Sequence, residues 1–295
     1  MVLFQLLRAK SWVKNVFVLF PLIFSMNLFS ADKLMHSLAG VLAFSMFASF
    51  IYILNDIQDR YRDSLHPRKK LRPIASGRIG YRLALGIAFI VLSLGIGISA
   101  VLPNSFIIWA AVYLFINILY VYWLKHVNIL ESMVIPVNFI LRVGAGCAAI
   151  SVLPTHWILV ITFSISMFLV FIKRRSEVVL LKDNTKEHRP VLKNYNEQTL
   201  WAYIIISAVI SVFAYILYTI DPVVISTFKT NKLLFTTIFV VIAVFRFLQL
   251  ANSDEFSGEG DPTELVYKDR FIQVTLVLWM LSVIAIIYSP VFISQ

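Results

Sequence analysis

The chain has 295 residues, 59% hydrophobic and 14% charged, with a mean hydropathy of +0.83. A water-soluble domain is closer to half apolar and a quarter charged, so the composition excludes a soluble enzyme, a disordered chain and a coiled coil, and places the core in a bilayer. A lone cysteine, Cys147, excludes a disulfide framework and a cysteine-based metal site. The net charge of +10 suits cytoplasmic loops beside anionic headgroups and requires no nucleic acid.

Apolar stretches of about the length that spans a bilayer occur at 13–30, 35–54, 83–102, 105–123, 129–151, 155–172, 200–220, 233–250 and 271–290. They predict an all-α polytopic membrane protein of nine transmembrane helices, forming a single domain over 1–295 with polar loops at 55–82, 173–199 and 251–270. Lys14 and Pro21 interrupt the first stretch. Lys14 within it, and a second apolar stretch directly after it, favour a retained helix over a cleaved signal sequence. With the N-terminus inside, every Lys and Arg falls in an inside segment or towards the inside end of a span (Lys14, Arg246), except Lys33, Lys229, Lys232 and the in-span Arg142. That asymmetry predicts a cytoplasmic N-terminus, an external C-terminus and a cytoplasmic-facing site. The long polar loops follow the second and sixth spans, which suggests two four-helix halves plus a ninth helix.

The second span ends in Asn55-Asp56-Ile57-Gln58-Asp59-Arg60-Tyr61-Arg62-Asp63. Asp56, Asp59 and Asp63 are spaced by three and four, so a continuing helix would carry all three on one face beside Asn55. Oxygen-only donors on a rigid helix suit Mg²⁺, which takes one or two carboxylates and completes its shell with water and substrate phosphate. Arg68, Lys69, Lys70 and Arg72 follow, between Pro67 and Pro73, and could clamp phosphate oxygens. Arg142, in Leu141-Arg142-Val143-Gly144-Ala145-Gly146, is an ionisable residue within a span and a functional candidate by default.

The sixth span runs into Lys173-Arg174-Arg175-Ser176-Glu177, with Lys173 and Glu177 on one helical face. Asp183 and Glu187 stand among Lys182, Lys186 and Arg189 and resemble a solvated, salt-bridged turn. The acidic loop 251–270 contains Gly258 and Gly260 and ends in Tyr267-Lys268-Asp269-Arg270. The five histidines show no metal-ligand spacing, and there is no Gly-rich nucleotide loop and no nucleophile elbow.

These residues resemble the UbiA superfamily of intramembrane prenyltransferases. The carriers are NDIQDRYRD (55–63), the nine-span layout, and the polar loops after spans two and six. The superfamily uses an Asn-Asp-x-x-Asp-type motif to hold Mg²⁺ on a substrate diphosphate. Where its aromatic prenyltransferases carry a second Asp-rich motif, this chain reads KRRSE (173–177). Together with SWVKN (11–15), HPRKKLRPIASG (66–77) and YKDR (267–270), this is similar to the branch typified by decaprenyl-phosphate phosphoribosyltransferase.

The resemblance implies transfer of 5-phosphoribose from phosphoribosyl diphosphate (PRPP) to a polyprenyl phosphate, towards cell-wall arabinan precursors, in the bacterial inner (plasma) membrane. The expected partners are those two substrates and the bilayer, with a homo-oligomer left open. Asp56, Asp59 and Asp63 are the expected catalytic residues, holding Mg²⁺ with Asn55. The expected substrate-binding residues are Lys14, Asn15, Lys69, Lys70, Arg72 and Arg142, with Lys173, Arg174, Glu177, Asp269 and Arg270. Three phosphate groups in one site account for cations replacing a second acidic motif. The alternatives are a quinone-pathway aromatic prenyltransferase and, from another class, a transporter.

Overall fold

The computed structural model describes residues 2–66, 69–127, 130–180, 196–252, 266 and 268–293. Among them the regular structure is helical throughout. Eight helices are long and apolar enough to cross a membrane: α1 (Ala31–Gln58), α2 (Tyr81–Ser99), α3 (Asn104–Tyr122), α4 (Leu130–Ala149), α5 (His156–Leu180), α6 (Glu197–Ile220), α7 (Thr237–Ala251, continuing a 3₁₀ turn at Lys232–Thr236) and α8 (Arg270–Ile293). Eight of the nine predicted spans fall on these helices.

The first predicted span is built differently. A 3₁₀ helix, Ala9–Leu19, runs into a short α-helix, Phe20–Phe24. At about 2.0 Å per residue in the first and 1.5 Å in the second, the pair rises about 30 Å, close to the thickness of a hydrocarbon core. Long 3₁₀ runs are uncommon, and the sequence shows why one forms here. Trp12, Asn15 and Val18 recur every three residues, so a three-residue turn stacks them along one edge. Asn15 and Val18 are fully buried, and the segment packs against α1 and α4.

The fold divides into two compact units, residues 1–155 and 156–295. In the first unit α2 covers α1 and α3 pairs with α4, around a core that includes Phe44, Phe47, Phe106, Tyr113 and Leu141. The most enclosed span is α4, with 72% of its apolar window buried. Two glycines permit this enclosure. A Cβ at Gly146 would stand 2.2 Å from the Val18 carbonyl oxygen, and one at Gly144 would stand 2.4 Å from the Trp109 ring.

At 28 residues, α1 is about 42 Å long and overshoots a core of about 30 Å, so its last turns project into the interface. The chain beyond it folds back through a helix at Arg60–Leu65, a 3₁₀ turn at Lys69–Leu71 and a turn at Gly77, whose φ is 75°. Ile74 and Ile79 anchor this return by burying against Leu6, Ile53 and Ala84.

In the second unit α5 packs along α6, with Phe168, Ile172, Ile204, Phe247 and Ile272 in the core. Asn196 caps α6, accepting from the Gln198 N–H at 3.0 Å. Asp221 caps the helix Pro222–Phe228 and accepts from the Trp157 indole at 3.1 Å. Both caps satisfy N–H groups that have no partner within the helix. Pro67, Arg68, the Asp183/Glu187 turn, Tyr267 and most of the 251–270 loop, with Gly258 and Gly260, lie outside the described residues.

Candidate active site

The site is built on a polar stripe of α1. Ser45, Ser49, Tyr52 and Asp56 are spaced by four, three and four, so they share one helical face. The N-terminal segment pairs with them turn by turn. Asn15 Nδ2 donates to Ser45 Oγ at 3.0 Å and Trp12 Nε1 to Ser49 Oγ at 3.0 Å, while Ser49 Oγ donates to the Leu7 carbonyl at 2.9 Å. The Arg8 guanidinium lies 4.9 Å over the Tyr52 ring and donates a short ion-paired hydrogen bond to Asp56 Oδ1.

The acidic motif sits at the end of this stripe. The helix breaks at Asp59, whose φ and ψ are −91° and 4°, yet Asp59 N–H still donates to the Asn55 carbonyl and Asp63 N–H to that of Asp59. This bend separates the three carboxylates expected on a single face. Asp56 and Asp63 are buried, at 2% and 3% exposure, and converge on one atom: Arg72 Nη1 lies 3.1 Å from Asp56 Oδ1 and 2.5 Å from Asp63 Oδ2. Asp59 turns away to Lys125 Nζ at 2.7 Å. The acids thus pair with Arg8, Arg72 and Lys125, of which Arg8 and Lys125 are distant from them in sequence; the adjacent Arg60 stacks on Tyr81.

Burial raises the Asp63 carboxyl above the usual carboxylate range, against the opposing pull of Arg72 and Lys69. Beside Lys125, partial desolvation and the charges of Lys125 and Arg62 lower the His126 imidazole. These pairs bring the Arg8 segment, the chain after α1 and the turn after α3 to one end of the first unit. All three belong to the inside set of the charge analysis.

Among the described residues no group of three His, Cys, Asp or Glu side chains converges as a metal site. The donor set nevertheless fits a hard divalent cation. Two buried carboxylates already share a single cationic atom, and Mg²⁺ needs only one or two protein carboxylates when substrate phosphate and water supply the rest.

Other expected substrate residues have protein partners. Asn15 is fully buried, and its Oδ1 accepts from Arg142 Nε at 2.8 Å. Arg142 also donates to the Asn138 carbonyl at 2.8 Å and to the Tyr113 hydroxyl at 3.3 Å, so its guanidinium fastens the N-terminal segment to α3 and α4. Lys69 and Lys70 lie in the 3₁₀ turn beside Asp63, with Lys70 exposed, and Lys14 is half-buried.

In the second unit Arg174 is almost fully buried, at 1% exposure, and pairs with Glu177. Arg175 pairs with Glu197 at 3.0 Å, donates to the Ala251 carbonyl at 2.5 Å and covers the Trp201 ring. Lys173 is half-buried on the same helix. Asp269 caps α8 through the Ile272 N–H at 2.8 Å and takes the Arg246 guanidinium on its other oxygen at 2.7 and 3.1 Å. Arg270 is exposed. Sequence reasoning missed Arg8 and Lys125 as site residues. It also missed the Ser45–Ser49–Tyr52 stripe, whose spacing was visible in the sequence.

The UbiA prenyltransferase family model matches residues 18–261. A decaprenyl-phosphate phosphoribosyltransferase of Corynebacterium glutamicum is 28% identical over 291 residues, covering 97% of this chain and 87% of that protein. One from Mycolicibacterium smegmatis is 27% identical over 301 residues, covering 97% and 92%. Among solved structures, a UbiA homolog from Archaeoglobus fulgidus bound to GPP and Mg²⁺ superposes with a TM-score of 0.69 at 16% identity, covering 97% of this chain and 99% of that one. With its long apolar helices, the chain is an integral membrane protein, and it belongs to the UbiA prenyltransferase family.

Proposed function

We propose that the chain transfers 5-phosphoribose from PRPP to a polyprenyl phosphate, giving polyprenyl-phosphoryl-5-phosphoribose and pyrophosphate for cell-wall precursor synthesis. The observation that carries this reading is the likeness to two decaprenyl-phosphate phosphoribosyltransferases over 97% of the chain. The sequence supports it in a second way. Where a prenyl-diphosphate enzyme of this superfamily is expected to place a second acidic motif, this chain reads Lys173-Arg174-Arg175.

In this reading Asp56 and Asp63, together with Asp59 and Asn55 of the same motif, would hold Mg²⁺ at the PRPP diphosphate. When bound, the metal would supply charge neutralisation for the departing pyrophosphate. Arg72, anchored between Asp56 and Asp63, together with Lys69 and Lys70, presents donors to the phosphate oxygens. The C1–oxygen bond to pyrophosphate breaks with its electron pair on the leaving group, and a lipid phosphate oxygen bonds to C1 from the opposite face, inverting the anomeric centre. The acceptor is already an anion, so no strong general base is required. In the second unit, Lys173 and Arg270 are the proposed phosphate-binding residues, and Arg174 with Glu177 fixes the end of α5. The charge asymmetry supports a cytoplasmic position for this end of the first unit.

The test is transfer of label from ribose-labelled PRPP into a polyprenyl-phosphate extract, with and without Mg²⁺, by wild type and Asp56→Asn. The expected result is Mg²⁺-dependent lipid labelling that falls on the order of 100-fold in the variant, the scale for losing a transition-state electrostatic contact. Absence of label, with a prenyl diphosphate consumed alongside an aromatic acceptor, would overturn the assignment.

A further inference from the structure

We propose that Arg8 and Lys125 are exchangeable counter-ions of the acidic cluster. They hold Asp56 and Asp59 while the site lacks substrate, and they pass to diphosphate oxygens when metal and diphosphate arrive together. The inference deepens the reading above and rests on its metal–diphosphate site.

The first argument is charge balance. Three carboxylates, Asp56, Asp59 and Asp63, face three cations, Arg8, Arg72 and Lys125. With Lys69 also acting on Asp63, such a cluster has no net negative charge with which to attract a divalent cation. A metal entering alone would leave about two uncompensated positive charges in a partly buried site, where their repulsion is weakly screened. A diphosphate entering with the metal brings about the negative charge needed to restore balance, and it offers Arg8 and Lys125 new anionic partners. Metal and diphosphate therefore bind with strong positive coupling, and each alone binds weakly.

The second argument is that these two side chains can move while their backbones stay in place. Arg8 lies where the short helix Val2–Leu6 meets the 3₁₀ segment, and Trp12 and Asn15 tie the chain beyond it to Ser49 and Ser45. Its side chain remains 25% exposed. The Tyr52 ring gives its guanidinium a second resting place once Asp56 is taken. Lys125 approaches from the 3₁₀ turn Leu124–His126, reaching Asp59 on a flexible four-carbon stem. Arg72 differs because it bridges two acids at once, and it serves as the fixed member.

Full-length protein in nanodiscs, titrated with Mn²⁺ and followed by electron paramagnetic resonance with and without pyrophosphate, tests the proposal. Removing one competing cation by Arg8→Gln or Lys125→Gln should tighten Mn²⁺ binding to the substrate-free protein by on the order of tenfold. The gain in Mn²⁺ affinity on adding pyrophosphate should shrink by a similar factor. Arg8→Lys should retain the wild-type pattern. Bridges that only hold the fold together would give Mn²⁺ affinities equal to or weaker than wild type in both Gln variants, and that result would overturn the proposal. Should a Gln variant fail to fold, the wild type still decides: Mn²⁺ affinity that does not respond to pyrophosphate sinks the idea. Because pyrophosphate is common to PRPP and prenyl diphosphates, the outcome is independent of the ribose-transfer assay.

Discussion

Asp63 shows how the site trades stability for chemistry. Burial holds its carboxyl above the usual carboxylate range even though Arg72 and Lys69 pull the other way. A carboxyl whose folded value is raised stabilises the fold fully below its unfolded value, and that contribution is lost as pH rises through the folded value. Once ionised, Asp63 is therefore a cost to the folded state. Asp63→Asn should then be at least as thermally stable as wild type at neutral pH, with its advantage disappearing as the pH falls below the ordinary carboxylate range. Transfer activity should still fall sharply, because the substitution removes one of the two carboxylates that converge on Arg72 Nη1. Melting curves of both proteins across pH check the sign; a variant that is clearly less stable at neutral pH would show that Asp63 is retained for the fold. Arg142 presents the opposite case. Each of its three nitrogens has a protein acceptor, which describes a framework residue whose charge joins three segments within the span.

At the scale of elements, close packing of the 3₁₀ segment against α4 fixes where Arg8 stands. The 2.2 Å separation between a Cβ at Gly146 and the Val18 carbonyl involves backbone, which cannot rotate away. Gly146→Ala should push the segment off α4 and destabilise the protein by about 1–3 kcal/mol, the range for overpacking. Transfer activity should fall beyond what the lost folded fraction explains, because Arg8 and the Ser45–Ser49 pairing shift with the segment. Activity normalised to folded protein, measured alongside thermal unfolding, separates these effects. The start of α8 follows different electrostatics. Desolvation raises the Asp269 carboxyl, but the Arg246 hydrogen bond and the helix N–H groups outweigh it, and the net shift is downward. A lowered folded value gives stability that is present above the unfolded value and lost as pH falls through the folded one. Asp269→Asn keeps a capping oxygen and loses the ion pair. With Arg246 about a third exposed, the loss should be about 0.5–1 kcal/mol at neutral pH and vanish in acid. Equal deficits at both pH values would mean that the charge contributes nothing.

For the whole molecule, what the sequence revealed follows from which interactions are local. Apolar runs disclosed eight long helices because a bilayer fixes their length, and spacing disclosed the acids because the backbone ties Asp56, Asp59 and Asp63 together. The partners of those acids were not legible: Arg8 lies 48 residues from Asp56 and Lys125 lies 66 from Asp59, and only the packed unit brings them together. The 3₁₀ path of residues 9–19 was hidden for a related reason, since a repeat of three matters only when neighbours on both sides demand a single edge. Sidedness can be tested across the entire chain, because its one cysteine, Cys147, is buried in α4. The charge asymmetry predicts that a cysteine at exposed Ser226, in the helix Pro222–Phe228, reacts with a membrane-impermeant maleimide on intact cells. A cysteine at exposed Ser76, in the return after α1, should react only once the membrane is opened. Labelling of Ser76→Cys on intact cells would place the Arg8–Asp56–Arg72 cluster outside, where PRPP is not supplied, and with it would fall the phosphoribosyl reading itself.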